Sequence, residues 1–173
     1  MLRLLLVGTL LLAAPTDDAA FAKRLAALKA KQTQLVVKMK PTDDPEKLPE
    51  NLQNGAMLVA HQRSGIYTPP LLDPGDILAV VNEHMVDVRK CYKKQLADDP
   101  EWSEEIILDL AVKKTGRIAE VSISPSRVKR DVIGQCLMSS IPKWKFPEFT
   151  GETDEGVTQE VVNASFPFSF SSN

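Results

Sequence analysis

The alternation of apolar and polar residues between Ser103 and Ser124 restricts the fold of this chain more than any other feature of its sequence. Apolar side chains occupy every second position, at Ile106, Leu108, Leu110, Val112, Ala119, Val121 and Ile123. This period of two is typical of strands with one buried face. The intervening Lys113-Lys114-Thr115-Gly116 ends in a glycine, which tolerates the positive φ that hairpin loops need. The sequence therefore predicts a β-hairpin.

Helical patterns flank the hairpin on both sides. From Asp76 to about Pro100, apolar residues recur every three or four positions along one helix face, at Leu78, Val81, Met85, Val88, Tyr92 and Leu96. A second helix is predicted from Val128 to Ile141, and a last strand from Val157 to Phe170. This order predicts an α+β fold, in which a small three-stranded antiparallel sheet carries two helices on one face.

The first residues are typical of an export signal. Arg3 precedes an apolar run from Leu4 to Leu12, and the small residues Ala13 and Ala14 follow as a cleavage zone. The run is shorter than the roughly 20 apolar residues that span a bilayer. We therefore expect residues 1–14 to be a Sec-type signal peptide and the protein to be periplasmic or secreted. Membrane attachment is expected only if this segment stays uncleaved.

Residues 15–75 contain a short helical stripe and a proline-rich linker. Apolar residues in the stripe predict a helix that docks on the main domain or contacts a partner, at Phe21, Leu25, Leu28 and Leu35. From Pro41 to Gly55, prolines and acidic residues replace the apolar periodicity, and Ala56 to Tyr67 is a candidate strand. We place the domain boundary at Asp76, so the folded domain is expected to cover residues 76–173.

Cys91 and Cys136 are the two cysteines of the chain, and neither has a second Cys or His at metal-ligand spacing. In an exported protein such a pair indicates a disulfide, here between the inner faces of the two helices. Two buried free thiols are the alternative if the protein is not exported. Closing the long loop between them contributes about 4 kcal/mol on chain-entropy estimates. We expect no metal and no cofactor.

The charge balance argues against a nucleic-acid partner. The formal net charge is −2, and removal of Arg3 with the signal makes it more negative, whereas phosphate binding relies on excess Lys and Arg. Catalytic motifs are equally weak, because neither His61 nor His84 lies in an H-E-x-x-H motif and no G-x-S-x-G elbow occurs. A secreted hydrolase is the less favoured alternative, and no small-molecule substrate is evident.

Five short motifs occur between Asp76 and Phe170. They are Cys91-Tyr92, Thr115-Gly116-Arg117-Ile118, Cys136, Trp144-Lys145-Phe146-Pro147 and Phe166-Pro167-Phe168. In order and spacing they resemble the AgmX/PglI C-terminal domain of myxobacterial-type periplasmic proteins, a relative of the TonB C-terminal domain. The resemblance implies a fold without catalytic residues that engages a partner protein, in TonB-type relatives by adding a strand at the sheet edge.

We therefore expect a non-enzymatic module whose protein partner adds a strand along the last strand, at Thr158, Glu160, Val162 and Ala164. An exposed edge can also pair with its own copy, which would give a homodimer. A membrane-anchored, TonB-like transducer is the alternative, although this chain has only a short apolar run and a short linker. The sequence leaves the partner open, and with it a role in the envelope, in transport or in gliding motility.

Overall fold

The computed structural model describes residues 17–31, 34–47, 69, 71–152 and 156–172. Its elements follow the order α1 (Asp17–Lys31), β1 (Leu35–Met39), α2 (Pro74–Glu83), α3 (Met85–Asp98), β2 (Glu104–Lys113), β3 (Ile118–Ser124), α4 (Val132–Ser140) and β4 (Val161–Ser172). Short 3-10 turns at Ser126–Arg130 and Ile141–Lys143 flank α4. The α+β class is confirmed. The signal at residues 1–14, the candidate strand in 56–67 and His61 lie outside the described residues.

The four strands form one mixed sheet in the order β1-β4-β2-β3. β2 is antiparallel to both of its neighbours, whereas β1 runs parallel to β4 with Leu35 opposite Phe168. The prediction of a three-stranded antiparallel sheet is therefore wrong by one strand. β1 was missed because its five residues give too short an alternation to recognise, and because the sheet includes chain from before Asp76.

The last strand lies inside the sheet rather than at its edge. It begins at Val161, four residues later than expected, and pairs with β2 on one side. On its other side β1 pairs with it from Phe168 to Ser172. Pro167 has no N–H for a neighbouring strand, which fits a ladder that starts at the next residue. The edge expected at the last strand is thus covered over its C-terminal part.

The main core lies between one face of the sheet and helices α2, α3 and α4. The inner side chains of β2 belong to it, at Ile106, Leu108, Leu110 and Val112. The long helix expected from Asp76 is divided in two, because His84 has φ −89° and ψ 9° and interrupts the helical backbone. Asp73 caps α2 by accepting a hydrogen bond from the Asp76 N–H. None of the helices in the described ranges is long and apolar enough to cross a membrane.

Helix α1 packs on the opposite face of the sheet, so the expectation of helices on one face only is corrected. Leu25 is the buried residue of α1. Arg24 binds Asp109, and Lys29 binds Glu105, both on the outer face of β2. Such half-exposed ion pairs contribute less than about 1 kcal/mol each. The buried Leu25 and these polar contacts therefore hold α1 on the sheet.

Candidate partner-binding site

Cys91 of α3 and Cys136 of α4 form the disulfide that the sequence predicts, with an S–S distance of 2.08 Å and a Cα–Cα distance of 5.5 Å. A second contact joins the same helices, because the buried Gln95 side chain accepts a hydrogen bond of 3.1 Å from the Ile133 N–H. That bond satisfies one of the free N–H groups in the first turn of α4. The disulfide and Gln95 together fix how these helices pack above the sheet.

The four residues predicted to bind a partner divide between β4 and the loop before it. Val162 and Ala164 lie in β4, half-buried against the core. Thr158 pairs with Glu152 in an isolated bridge, and Glu160 forms a 2.7 Å ion pair with Lys114. All four precede the part of β4 that pairs with β1. Their role in partner binding stays a prediction.

The sheet order places β1 and β3 at its two edges, and the part of β4 before Phe168 has no β1 partner either. β1 has five residues and carries the exposed Lys38, and short charged strands resist further pairing. β3 has seven residues, and its outer-face residues Glu120 and Ser122 are at least partly exposed. β3 is therefore a better candidate than β1 for a strand-binding edge.

The hairpin register shows which backbone groups of β3 point away from the sheet. The Lys113 N–H donates to the Arg117 carbonyl at 2.8 Å, so odd-numbered residues of β2 direct their backbone groups toward β3. Ser122 stands opposite Asp109, which is one of these odd-numbered residues, so the backbone groups of Ser122 point toward β2. Because the direction alternates, Val121 and Ile123 point their N–H and C=O groups outward. Among the described strands, none lies beyond them.

The chain itself adds a short extended segment to the start of this edge. The Phe146 N–H donates to the Gly116 carbonyl at 2.9 Å, and Lys145 pairs with Arg117 in an antiparallel bridge. Gly116 has φ 72°, and a Cβ atom there would lie 2.0 Å from the Phe146 carbonyl oxygen. Glycine is thus required for both the turn and the close approach. The motifs around Gly116 and Phe146 form one structural unit.

A groove of about 290 Å³ lies on the outer face of the sheet beside the β3 edge. Its floor comes from β2, β3 and β4, and its residues include Asp109, Ala111, Glu120, Ser122, Asn163 and Ser165. Arg24 of α1 also lines it and donates to Asp109 Oδ2 at 2.8 Å, which compensates that carboxylate. Sequence reasoning missed the groove because nothing in the pattern of α1 shows which face of the sheet it covers.

A row of three cations crosses the outer face at the closed end of the hairpin. Lys113 and Arg117 are backbone partners across the hairpin, and Arg117 pairs with Lys145 of the added segment. All three side chains are exposed, whereas the residues beside Lys145 in the chain, Trp144 and Phe146, are buried. Within the described part of the chain, no carboxylate forms an ion pair with any of the three. We call Lys113, Arg117 and Lys145 the cation row.

His84 has packing contacts at the junction of α2 and α3. Its ring is stacked on Trp144, with centroids 5.0 Å apart and planes 9° apart. Its Nδ1 lies 3.1 Å from Asp87 Oδ2. No cluster of three metal-ligating side chains occurs in the ranges that the structure describes. The contacts of His84 account for its place in the fold, and the hydrolase alternative stays untested.

Comparison of the chain with protein-family models, with curated proteins and with solved structures found no match. The resemblance to the AgmX/PglI C-terminal domain therefore stays an expectation from short motifs. We therefore infer function from the β3 edge, the groove beside it and the cation row.

Proposed function

We propose that this chain is an exported, non-enzymatic protein-interaction module that captures an extended segment of a partner protein at the β3 edge. The observation that carries the proposal is the outward direction of the Val121 and Ile123 backbone groups, beyond which no described strand lies. Unpaired N–H and C=O groups of this kind form ladder bonds with an added strand. The proposal keeps the expected binding mode and moves it from the last strand to β3.

The way in which the chain covers the start of β3 supports this assignment. The segment around Lys145 pairs with Arg117, so the edge already accepts one extended segment. The register shifts between Ala111 and Val112 of β2, which leaves Ala119 of β3 as a bulge. Bulges interrupt pairing, so a partner strand would run along residues 120–124. Its side chains on the outer face would extend the floor of the groove.

The disulfide supports the export part of the proposal. Disulfides form and persist in oxidising compartments and are rare in the cytosol. The link between Cys91 and Cys136 is therefore the chemistry expected of a protein that carries a signal peptide. Thiol titration of protein taken from its native compartment tests this directly, because two free thiols there would contradict export.

Site-specific photo-crosslinking tests the proposed edge. We would place a photoreactive residue at Glu120 or Ser122, which lie on the outer face of β3 and line the groove. Matched control positions are Val36 and Lys38, which are exposed on β1 at the opposite edge of the same sheet. The proposal predicts that the β3 positions capture one partner protein in the native compartment, and that the control positions do not.

Other outcomes of this crosslinking are equally informative. Capture from Val36 or Lys38 without capture from β3 would mean that the wrong edge has been assigned. Crosslinks between two copies of the chain would show that the edge makes a homodimer instead.

A membrane-anchored transducer is the alternative for the whole protein. Sequencing the mature N-terminus separates the two proposals, because cleavage after residues 13 or 14 removes the apolar run.

A further inference from the structure

The cation row places like charges directly opposite one another. Neighbouring strands are about 4.8 Å apart, so the backbone positions that carry the three cations lie within about 10 Å of one another. Like charges in directly opposed positions destabilise a sheet. Lys113, Arg117 and Lys145 share one face of the sheet, because the register pairs the first with the second and the second with the third. The fold thus brings three cations together, and their repulsion lowers the stability of the folded chain.

Within the described part of the chain, no ion pair relieves the repulsion among the three cations of the row. Lys114 belongs to the same hairpin loop and forms a 2.7 Å ion pair with Glu160. The acidic residues nearest to the row along the chain are Glu120 and Glu148, both exposed. In the described part of the chain, neither of them pairs with a cation of the row. One cation of the hairpin is therefore compensated, whereas the three on the outer face have no ion-pair partner among the residues that the structure describes.

We propose that the cation row binds carboxylates of an acidic protein segment, and that this segment is the one captured by β3. The inference rests on the proposed function, because it specifies the chemistry of the same partner. A strand added along residues 120–124 lies in line with the segment that contains Lys145. An acidic side chain at its end, on the outer face, comes within reach of Lys145 and Arg117. Arg117 can bind a carboxylate with two parallel hydrogen bonds, and the lysines act as point charges.

The surroundings of the row favour a narrow acidic segment over a broad polyanionic surface. Glu120 and Glu148 are exposed and lie three residues along the chain from Arg117 and Lys145, and the chain as a whole has a formal charge of −2. A membrane or a nucleic-acid duplex would approach these acids together with the cations. A peptide lying along residues 120–124 would meet Glu120, so its acidic side chain must lie at the end that reaches Lys145 and Arg117. A protein partner is therefore the occupant to test.

Peptide binding to the full chain tests the inference. The probe is a fluorescent peptide that alternates valine with threonine and has glutamate at both ends, so that a glutamate can reach the row in either strand direction. Its matched control replaces each glutamate by glutamine. We expect the glutamate peptide to bind more tightly, and its affinity to fall as salt is added. Lys145→Glu and Arg117→Gln should each weaken this binding by about fivefold, the size expected for one exposed charge pair. Lys38→Gln, which removes an exposed lysine from the opposite edge, should leave the affinity unchanged.

The thermal midpoint of the same variants provides a second readout. Lys145→Glu replaces a repulsive pair by an attractive one with Arg117, so its midpoint should rise while its affinity for the glutamate peptide falls. If the three cations were only solvated and bound no carboxylate, neither the thermal midpoint nor the affinity for the glutamate peptide would change. Unchanged affinity in a folded Lys145→Glu protein would overturn the inference. Binding of phosphatidylglycerol vesicles without binding of the peptide would overturn it as well.

The failure of this inference can be told apart from the failure of the proposed function. If both peptides bind equally well and protect the outward amides of Val121 and Ile123, strand addition stands and the acidic partner is wrong. If crosslinking places the native partner away from β3, the proposed function itself is wrong, whatever the peptides do.

Discussion

Gly116 lies against the backbone of Phe146, so closely that a Cβ atom on the glycine would stand 2.0 Å from the Phe146 carbonyl oxygen. This contact joins the hairpin loop to the segment after α4, although the two are far apart in the sequence. It also positions Arg117 opposite Lys145. The contact therefore builds both the covered part of the β3 edge and the cation row.

Gly116→Ala should destabilise the protein by about 3 kcal/mol or more. The left-handed backbone at φ 72° costs a non-glycine residue about 1 to 2 kcal/mol, and the clash with Phe146 adds to that cost. Gly156→Ala is the matched control, because Gly156 has the same φ of 72° and no atom within 4 Å of its added Cβ. Urea unfolding of both variants measures the difference. Equal losses would mean that the contact with Phe146 contributes nothing.

Removing the disulfide should cost about 4 kcal/mol of unfolding free energy. The bond joins residues 45 positions apart, so it restricts a long loop of the unfolded chain. The double variant Cys91→Ala with Cys136→Ala should unfold at a much lower urea concentration than the oxidised protein. The reduced wild type is the control, and its midpoint should be close to that of the double variant. An unchanged midpoint in both would show that the other helix contacts suffice.

Stability should fall at alkaline pH because of Tyr92. Burial raises the pKa of Tyr92 to about 12, and its hydroxyl donates to the Trp102 carbonyl at 3.0 Å. An unfolded tyrosine ionises near pH 10, so the contribution is complete below that pH and is lost as the pH rises toward 12. The loss from this residue should reach about 1 kcal/mol at pH 11. Urea unfolding between about pH 8 and 11 measures it, and Tyr92→Phe should show a shallower decline. Identical slopes would contradict the assignment.

The hairpin, the helix positions and the disulfide could be predicted because each depends on a local pattern or on a count. The alternation around Leu108 and Leu110 marks buried positions of a strand, and a chain with two cysteines has only one possible internal disulfide. β1 could not be recognised from five residues. No proline or glycine marks the break at His84, so the apolar pattern on both sides of it predicts one continuous helix.

The candidate site depends on features that a local pattern does not contain. Sheet order decides which strand forms an edge, and the parallel pairing that starts at Leu35 and Phe168 covers the C-terminal part of β4. Arg24 reaches Asp109 across 85 residues of sequence, which places α1 on the outer face and forms the groove wall. The cation row exists because the Gly116 contact brings Lys145 beside Arg117. Each of these pairings is tertiary, so none has a periodic signal.

Residue-resolved amide hydrogen exchange, with and without the captured partner, is the most direct test of strand addition at β3. The account predicts that the outward amides of Val121 and Ile123 exchange rapidly in the free protein and become protected in the complex. The amide of Ser122, which already bonds to β2, should change little. Protection on β4 near Val162 and Ala164, with no change at Val121 and Ile123, would contradict the account.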